Sequence, residues 1–502
     1  MLSFRGGVKA AFHMGRDIGT MDPAKGYVGG ENNNLHESLI RSGYAFAGGT
    51  LMTTGTNTNH VVQAETAAKI KERFIELFGP PEFTLSMGTS GGSMSQHLVA
   101  QNYPGITDAI NPWRSYPEVI TFNTPLNDCN LLVKYFEETD IPWTQLQKTQ
   151  VSGKLHFDYC TTPASRFQNL NPTNCDPSVV AYIEFSMGAV KPEDVRCTYQ
   201  DNLVEVFGRD PATGYARSPW DNTGIQYGLG SLNKGIISVA QFIDLNAKIG
   251  GHDINGQIVP ERAVGNPEAL RIAYETGRMN SGGGGLSTIP ILDIRGYTDG
   301  ICTVAPCPPR EPNDVDVHDG YHTLLTRARL DATNGNHDNQ VRIVTTEVGH
   351  RGPDSVVSVV SVEAIGLLDQ WVTAIKADTS DLSQAEKVAL HKPAELVDAC
   401  YTGIGSKITD MELCAELFPI AGDARLVAGA PPTNDVIKCQ LKPVSADDYE
   451  VDVSPDQLAQ IETVFPDGVC DYTKPGVGQT ALAGTWAIYS GNGAVTYLNP
   501  AD

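Results

Sequence analysis

The chain contains no uninterrupted apolar run approaching the ~18 residues that a bilayer crossing requires, so no membrane span is expected. Its opening, MLSFRGGVKAAFHMGRD, lacks the apolar core that defines a signal peptide; a leader already removed is compatible with this. Basic clusters are missing as well. There are 36 Lys and Arg against 59 Asp and Glu, giving a net charge of −23. Such a surface repels phosphate backbones and anionic headgroups, which argues against nucleic acid and membranes as partners. No two cysteines stand at C-x-x-C spacing, so a zinc ribbon is not expected. No internal repeat is evident.

The ten cysteines are Cys129, Cys160, Cys175, Cys197, Cys302, Cys307, Cys400, Cys414, Cys439 and Cys470. An even, scattered set points to disulfides formed in an oxidising compartment, and hence to a secreted or periplasmic protein. Cys302 and Cys307 are close enough to bridge a local loop. The last four cysteines can pair among themselves, although spacing alone leaves the connectivity open.

The first 125 residues alternate between strand and helix patterns. "LSFR" and "YAFAGGTLMTTG" read as strands, and "AETAAKIKERFIELFG" as an amphipathic helix stopped by Gly79-Pro80-Pro81. "FTLSMG" is an apolar strand, and a second helix after Ser90 runs to Tyr103-Pro104-Gly105. This order predicts an α/β fold with a mostly parallel, doubly wound sheet. Residues 126–285 lose the rhythm and read as an inserted lid, with one well-marked helix, "SVAQFIDLNAKIGG", capped by Ser238. Alternation returns over 286–378 through "IPILDIRGYTD", "YHTLLTRARLDATNG", "NQVRIVTTEVGH" and a helix over 357–377. Residues 379–502 form a C-terminal extension containing disulfides. The expected domains are therefore a first core part (1–125), a lid (126–285), a second core part (286–378) and the extension (379–502).

Gly88-Thr89-Ser90-Gly91-Gly92 is a G-x-S-x-G pattern, weak by itself in a chain with 50 glycines. Its position between an apolar strand and a helix gives it meaning. A strand turning at once into a helix strains the intervening residue and presents its hydroxyl at the strand end. Ser90 is thus the expected nucleophile, and the Gly91 N–H the expected oxyanion donor. A second donor is expected from "FRGG", Gly7 first and Gly6 next. Serine needs a base, and the base an orienting acid, on loops after later strands. Asp299 follows the strand of "IPILDIRGYTD", with Asp293 disfavoured because it falls inside the strand. His350 follows the strand of "VRIVTTEVGH". A competing set lies in "DVDVHDGYH": His318 and His322 as base, Asp316 as acid, or the two histidines with Asp314, Asp316 and Asp319 as a metal site. His97 sits two turns down the helix from Ser90, where a structural role is expected.

These segments resemble the α/β-hydrolase superfamily, and within it are similar to the tannase and feruloyl esterase group and its poorly characterised secreted relatives. The similarity rests on Phe4–Gly7, "GYAFAGGTLMTTG", the helix running toward "GTSGGSMSQHLVAQNYPG", and "IPILDIRGYTD", with a large insert at 126–285. It implies a secreted serine esterase cleaving carboxylic esters, aromatic and polymer-derived esters among them, with a lid forming part of the pocket. A peptidase or acyltransferase with the same triad, or a silent hydrolase fold used for binding, are the alternatives. The tannase group bridges a cysteine before the serine to one after the histidine; here Thr89 and Arg351 occupy those positions. The resemblance also makes the first strand of this chain the third of the usual sheet. No cofactor is expected beyond the structural calcium that relatives often hold in the lid, for which no site is assigned. The expected partner is a small-molecule or polymeric ester, with oligomeric state open.

Overall fold

A computed structural model describes residues 1–7, 38–55, 57–162, 196–300, 316–346, 356–489 and 495–497. Among these, seven strands form one sheet: β1 (Leu2–Ser3), β2 (Leu85–Thr89), β3 (Ala109–Trp113), β4 (Ile291–Gly296), β5 (Gln340–Thr345), β6 (Ala399–Tyr401) and β7 (Lys407–Ile408). They lie in the order β1-β2-β3-β4-β5-β6-β7. Every pairing is parallel except the last, between β6 and β7.

Parallel neighbours require crossovers, and helices supply them. The helices that position the site are α1 (His60–Phe78), α2 (Gly91–Asn102), α3 (Val119–Glu138), α4 (Gln145–Ser152), α5 (Val239–Lys248), α6 (Pro267–Glu275), α7 (Tyr321–Asn334), α8 (Val356–Ala377) and α9 (Met411–Leu417). Side chains that alternate along the strands divide between two cores, as the period-2 geometry requires. Leu85, Met87, Ala109, Trp113, Leu292, Ile294, Val341 and Ile343 pack with Val357, Leu368 and Trp371 of α8 on one face. On the other face, Ile110 and Ile291 meet Ala100 of α2 and Leu330 of α7, while Leu2 and Phe4 meet Ala64 and Ala67 of α1. The result is a doubly wound, mostly parallel α/β sheet. By length and composition α8 is apolar enough to cross a bilayer. Here its buried stripe is core.

Local chemistry explains where the elements start and stop. Asn59 caps α1 by accepting from the Val61 and Val62 amides, and Ser238 with Gln241 forms a capping box on α5. Gly335 closes α7 in the left-handed conformation that only glycine adopts freely.

Two expectations are corrected. Residues 44–55 are not a continuous strand: they meet the N-terminal segment through isolated bridges, Ala47 with Leu2 of β1 and Thr53 with Arg5 beyond it, and Thr50–Met52 coils into a short 3₁₀ turn. The glycine pair Gly48-Gly49 weakens strand preference there. The sheet also does not end near residue 378, because β6 and β7 lie within 379–502.

Between β3 and β4 the chain builds a second hydrophobic core. Leu126, Tyr135, Phe242 and Leu245 from this insertion pack with Ala424, Ile437, Ile461 and Phe465 from the C-terminal part. The buried Arg425 guanidinium holds Asp128 at 2.7 Å across this junction. Disulfides join Cys129 to Cys160, Cys400 to Cys414 and Cys439 to Cys470, so the last four cysteines do pair among themselves. Cys302 and Cys307 lie outside the described residues.

Candidate active site

Ser90 stands alone between β2 and α2 with φ 59° and ψ −119°. Among the described residues only Arg114 and Asn434 share a positive φ without being glycine. This is the strained conformation a strand-to-helix elbow demands. The Ser90 N–H donates to the Trp113 carbonyl at the end of β3 (3.0 Å), and the Ser90 carbonyl accepts from Ser93 N (2.8 Å) and Ser93 Oγ (2.6 Å). The backbone is therefore pinned on both sides. The half-buried Ser90 hydroxyl has no hydrogen-bond partner among the described residues.

The glycines around it answer to contact. A Cβ on Gly88 would overlap the Phe4 carbonyl oxygen, one on Gly92 would come within 2.5 Å of the same atom, and one on Gly91 would overlap the Gly7 carbonyl oxygen. The chain leaving β1 thus crosses directly against the elbow. A Cβ built on Gly6 would lie 3.5 Å from that of Ser90, and Gly7 takes φ +85°. Gly6, Gly7 and Gly91 are consequently brought together beside Ser90. The Gly91 carbonyl is fixed by Thr54 Oγ1 (2.8 Å) and Ser95 Oγ (3.0 Å), which sets the orientation of the first turn of α2.

Asp299 lies three residues beyond β4 and is 4% exposed. The Gly320 N–H reaches both carboxylate oxygens (2.7 and 2.8 Å), and the Ala421 N–H reaches one (3.2 Å). Burial pushes this carboxyl up, against the pull of Arg295 and the two amides. Asp319 is close by, paired with Lys154 at 2.5 Å. Asp293 is fully buried inside β4, where burial pushes its carboxyl up to about 6.

Of the histidines, His350 lies outside the described residues, as do Arg351 and Asp314. His318 Nδ1 sits 2.5 Å from Asp316, whose other oxygen binds Arg114. Burial raises the Asp316 carboxyl, but the His318 and Arg114 contacts outweigh it and hold it well below the usual carboxylate range. Burial lowers the His318 imidazole despite that carboxylate, and its Nε2 is buried without a partner. With Nδ1–H donated to Asp316, Nε2 keeps its lone pair. This Asp–His pair is tied to the elbow through Tyr116, whose ring packs on His318 (5.4 Å) and whose N–H donates to Ser93 Oγ. His322 is wedged between Tyr116 and Tyr321, with neither nitrogen bonded among the described residues. His97 is buried with Nδ1 on the Tyr116 carbonyl (2.9 Å), on the flank of α2 away from the elbow.

Two site residues were not anticipated. Arg114 follows β3 with φ +45° and anchors Asp316, and the buried Arg295 donates to the carbonyls of His318 and Asp319. Arginine directly behind an apolar strand is the sequence sign of the first. Among the described residues no three His, Cys, Asp or Glu side chains converge to hold a metal.

None of the curated proteins matches the chain in sequence. A structural similarity reaches an esterase from Aspergillus oryzae, 14% identical over 74% of each chain with a TM-score of 0.25, too distant to bear on mechanism. The family match is far more extensive and covers the elbow, the sheet and the insertion alike. With residues 1–481 matched, the chain belongs to the tannase-like family of unknown function, DUF6351.

Proposed function

We propose that the protein is a secreted or periplasmic serine hydrolase that cleaves carboxylic esters through an acyl-enzyme on Ser90. The observation that carries this reading is the elbow. A serine at φ 59°, pinned through its backbone and unbonded at its hydroxyl, is held against the Gly6-Gly7 turn in a tannase-like chain. Ser90 Oγ attacks the ester carbonyl as a base takes its proton. The Gly91 N–H, free of any acceptor among the described residues, and the Gly7 N–H stabilise the oxyanion. The base then returns the proton to the leaving alcohol, and water releases the acid. The disulfides among the described residues support an oxidising compartment.

His350, after β5, is the first choice of base, with Asp299 as its orienting acid. Asp299 suits that role because backbone amides hold its carboxylate rigidly at the end of β4. The Asp316–His318 pair supports a second reading, since its imidazole already has the tautomer a base needs. Hydrolysis of p-nitrophenyl acetate, butyrate and octanoate tests both. Ser90→Ala is expected to abolish turnover in a folded protein. His350→Ala is expected to lower kcat by several orders of magnitude, and His318→Ala to leave it largely intact. The reverse result assigns the base to His318. Retained turnover in Ser90→Ala rejects the nucleophile.

A further inference from the structure

Arg278 follows α6 and is 1% exposed, and its Nε, Nη1 and Nη2 are all buried without a hydrogen-bond partner among the described residues. Arg329 and Arg425, also buried, each hold a carboxylate. Among the described residues the Tyr199 and Tyr103 phenols bear on the Arg278 charge, and no carboxylate does. A guanidinium cannot shed its proton, so burial leaves a positive charge needing compensation. The Trp486 indole lies against it at 3.5 Å, which occupies the guanidinium face and leaves the in-plane N–H donors unused.

Further unpaired donors lie within electrostatic reach. His60, the first residue of α1, is 2% exposed with both ring nitrogens unbonded, and the Tyr199 hydroxyl is buried and unbonded too. Burial and the Arg278 charge push His60 down to about 3, so it offers a neutral N–H and adds no second charge. The N-terminal end of a 19-residue helix adds positive potential.

We propose that Arg278, His60 and Tyr199 form a buried site for one small monovalent anion, a halide or a short carboxylate. One guanidinium and one such anion balance. The near-complete burial of all three side chains excludes a bulky ester, so this site is separate from the ester pocket and independent of the assignment of Ser90.

Thermal denaturation of the full chain at constant ionic strength tests this, with potassium gluconate replaced stepwise by chloride, bromide or formate. The expected result is a saturable rise in Tm of roughly 2 °C that Arg278→Gln abolishes. A response to chloride and bromide alone identifies a halide site, and a response to formate alone a carboxylate site. No rise with any of the three anions, or an equal rise in Arg278→Gln, overturns the proposal. Should that variant not fold, crystals of the parent grown in bromide decide. An anomalous peak beside Arg278 is expected, and water alone at the guanidinium overturns the site.

Discussion

Gly88, Gly91 and Gly92 hold the argument at the scale of single residues, because each is required by a neighbouring carbonyl rather than by the turn alone. Adding a methyl group at Gly88 forces β1 and β2 apart where they pair through Leu2 with Ser86 and Ser3 with Met87. Gly88→Ala is therefore expected to destabilise the fold by about 1–3 kcal/mol, the usual cost of overpacking. Turnover should fall further than stability alone explains, since the Gly7 turn moves with β1. Urea unfolding and ester hydrolysis on the same sample check both, and an unchanged midpoint rejects the close approach. The strand-to-helix elbow at Ser90 is legible because a strand pattern, a glycine pattern and a helix pattern meet there. The Asp316–His318–Arg114 arrangement was only half legible: the Asp and His are two residues apart, but Arg114 comes from another strand end.

Elements with strong local signals were readable, and those made by tertiary contact were not. The capping box of Ser238 and Gln241, the glycine stop at Gly335 and the apolar stripe of α8 are all written in short windows. β6 is only three residues, Ala399–Tyr401, flanked by no alternation, and it exists because β5 offers it an edge. Residues 44–55 failed in the opposite sense, with strand-forming side chains but a backbone broken by Gly48 and Gly49. The Cys400–Cys414 disulfide joins β6 to α9 across 14 residues. Replacing both cysteines by serine is expected to cost about 3 kcal/mol by relaxing the unfolded chain's constraint. A urea midpoint equal to the parent's would show that sheet pairing alone holds β6.

Across the whole molecule, buried ionisable groups link stability to pH. Burial pushes the fully enclosed His97 down to about 4, with the Tyr116 hydrogen bond only partly opposing it. In the unfolded chain the same group titrates near 6.5. Above that value both states are neutral. Below it the unfolded chain takes up a proton the folded one refuses, so stability is lost as pH falls. The contribution is about 1.4 kcal/mol between about pH 7.5 and pH 5.5. Asp293, raised to about 6, acts in the opposite sense over part of this range. The His97 share is therefore read as a difference: the parent should lose about 1.4 kcal/mol more than His97→Gln over that interval. Equal losses would mean that His97 takes up a proton in the fold as readily as in the unfolded chain.

The central claim is that Ser90 is the nucleophile, and covalent labelling tests it most directly. The folded protein is treated with a fluorophosphonate, digested, and its peptides mapped by mass spectrometry. One modification is expected, on the Ser90 hydroxyl, and it disappears in Ser90→Ala. No labelling, or labelling on Ser93 or Ser95 instead, would contradict it.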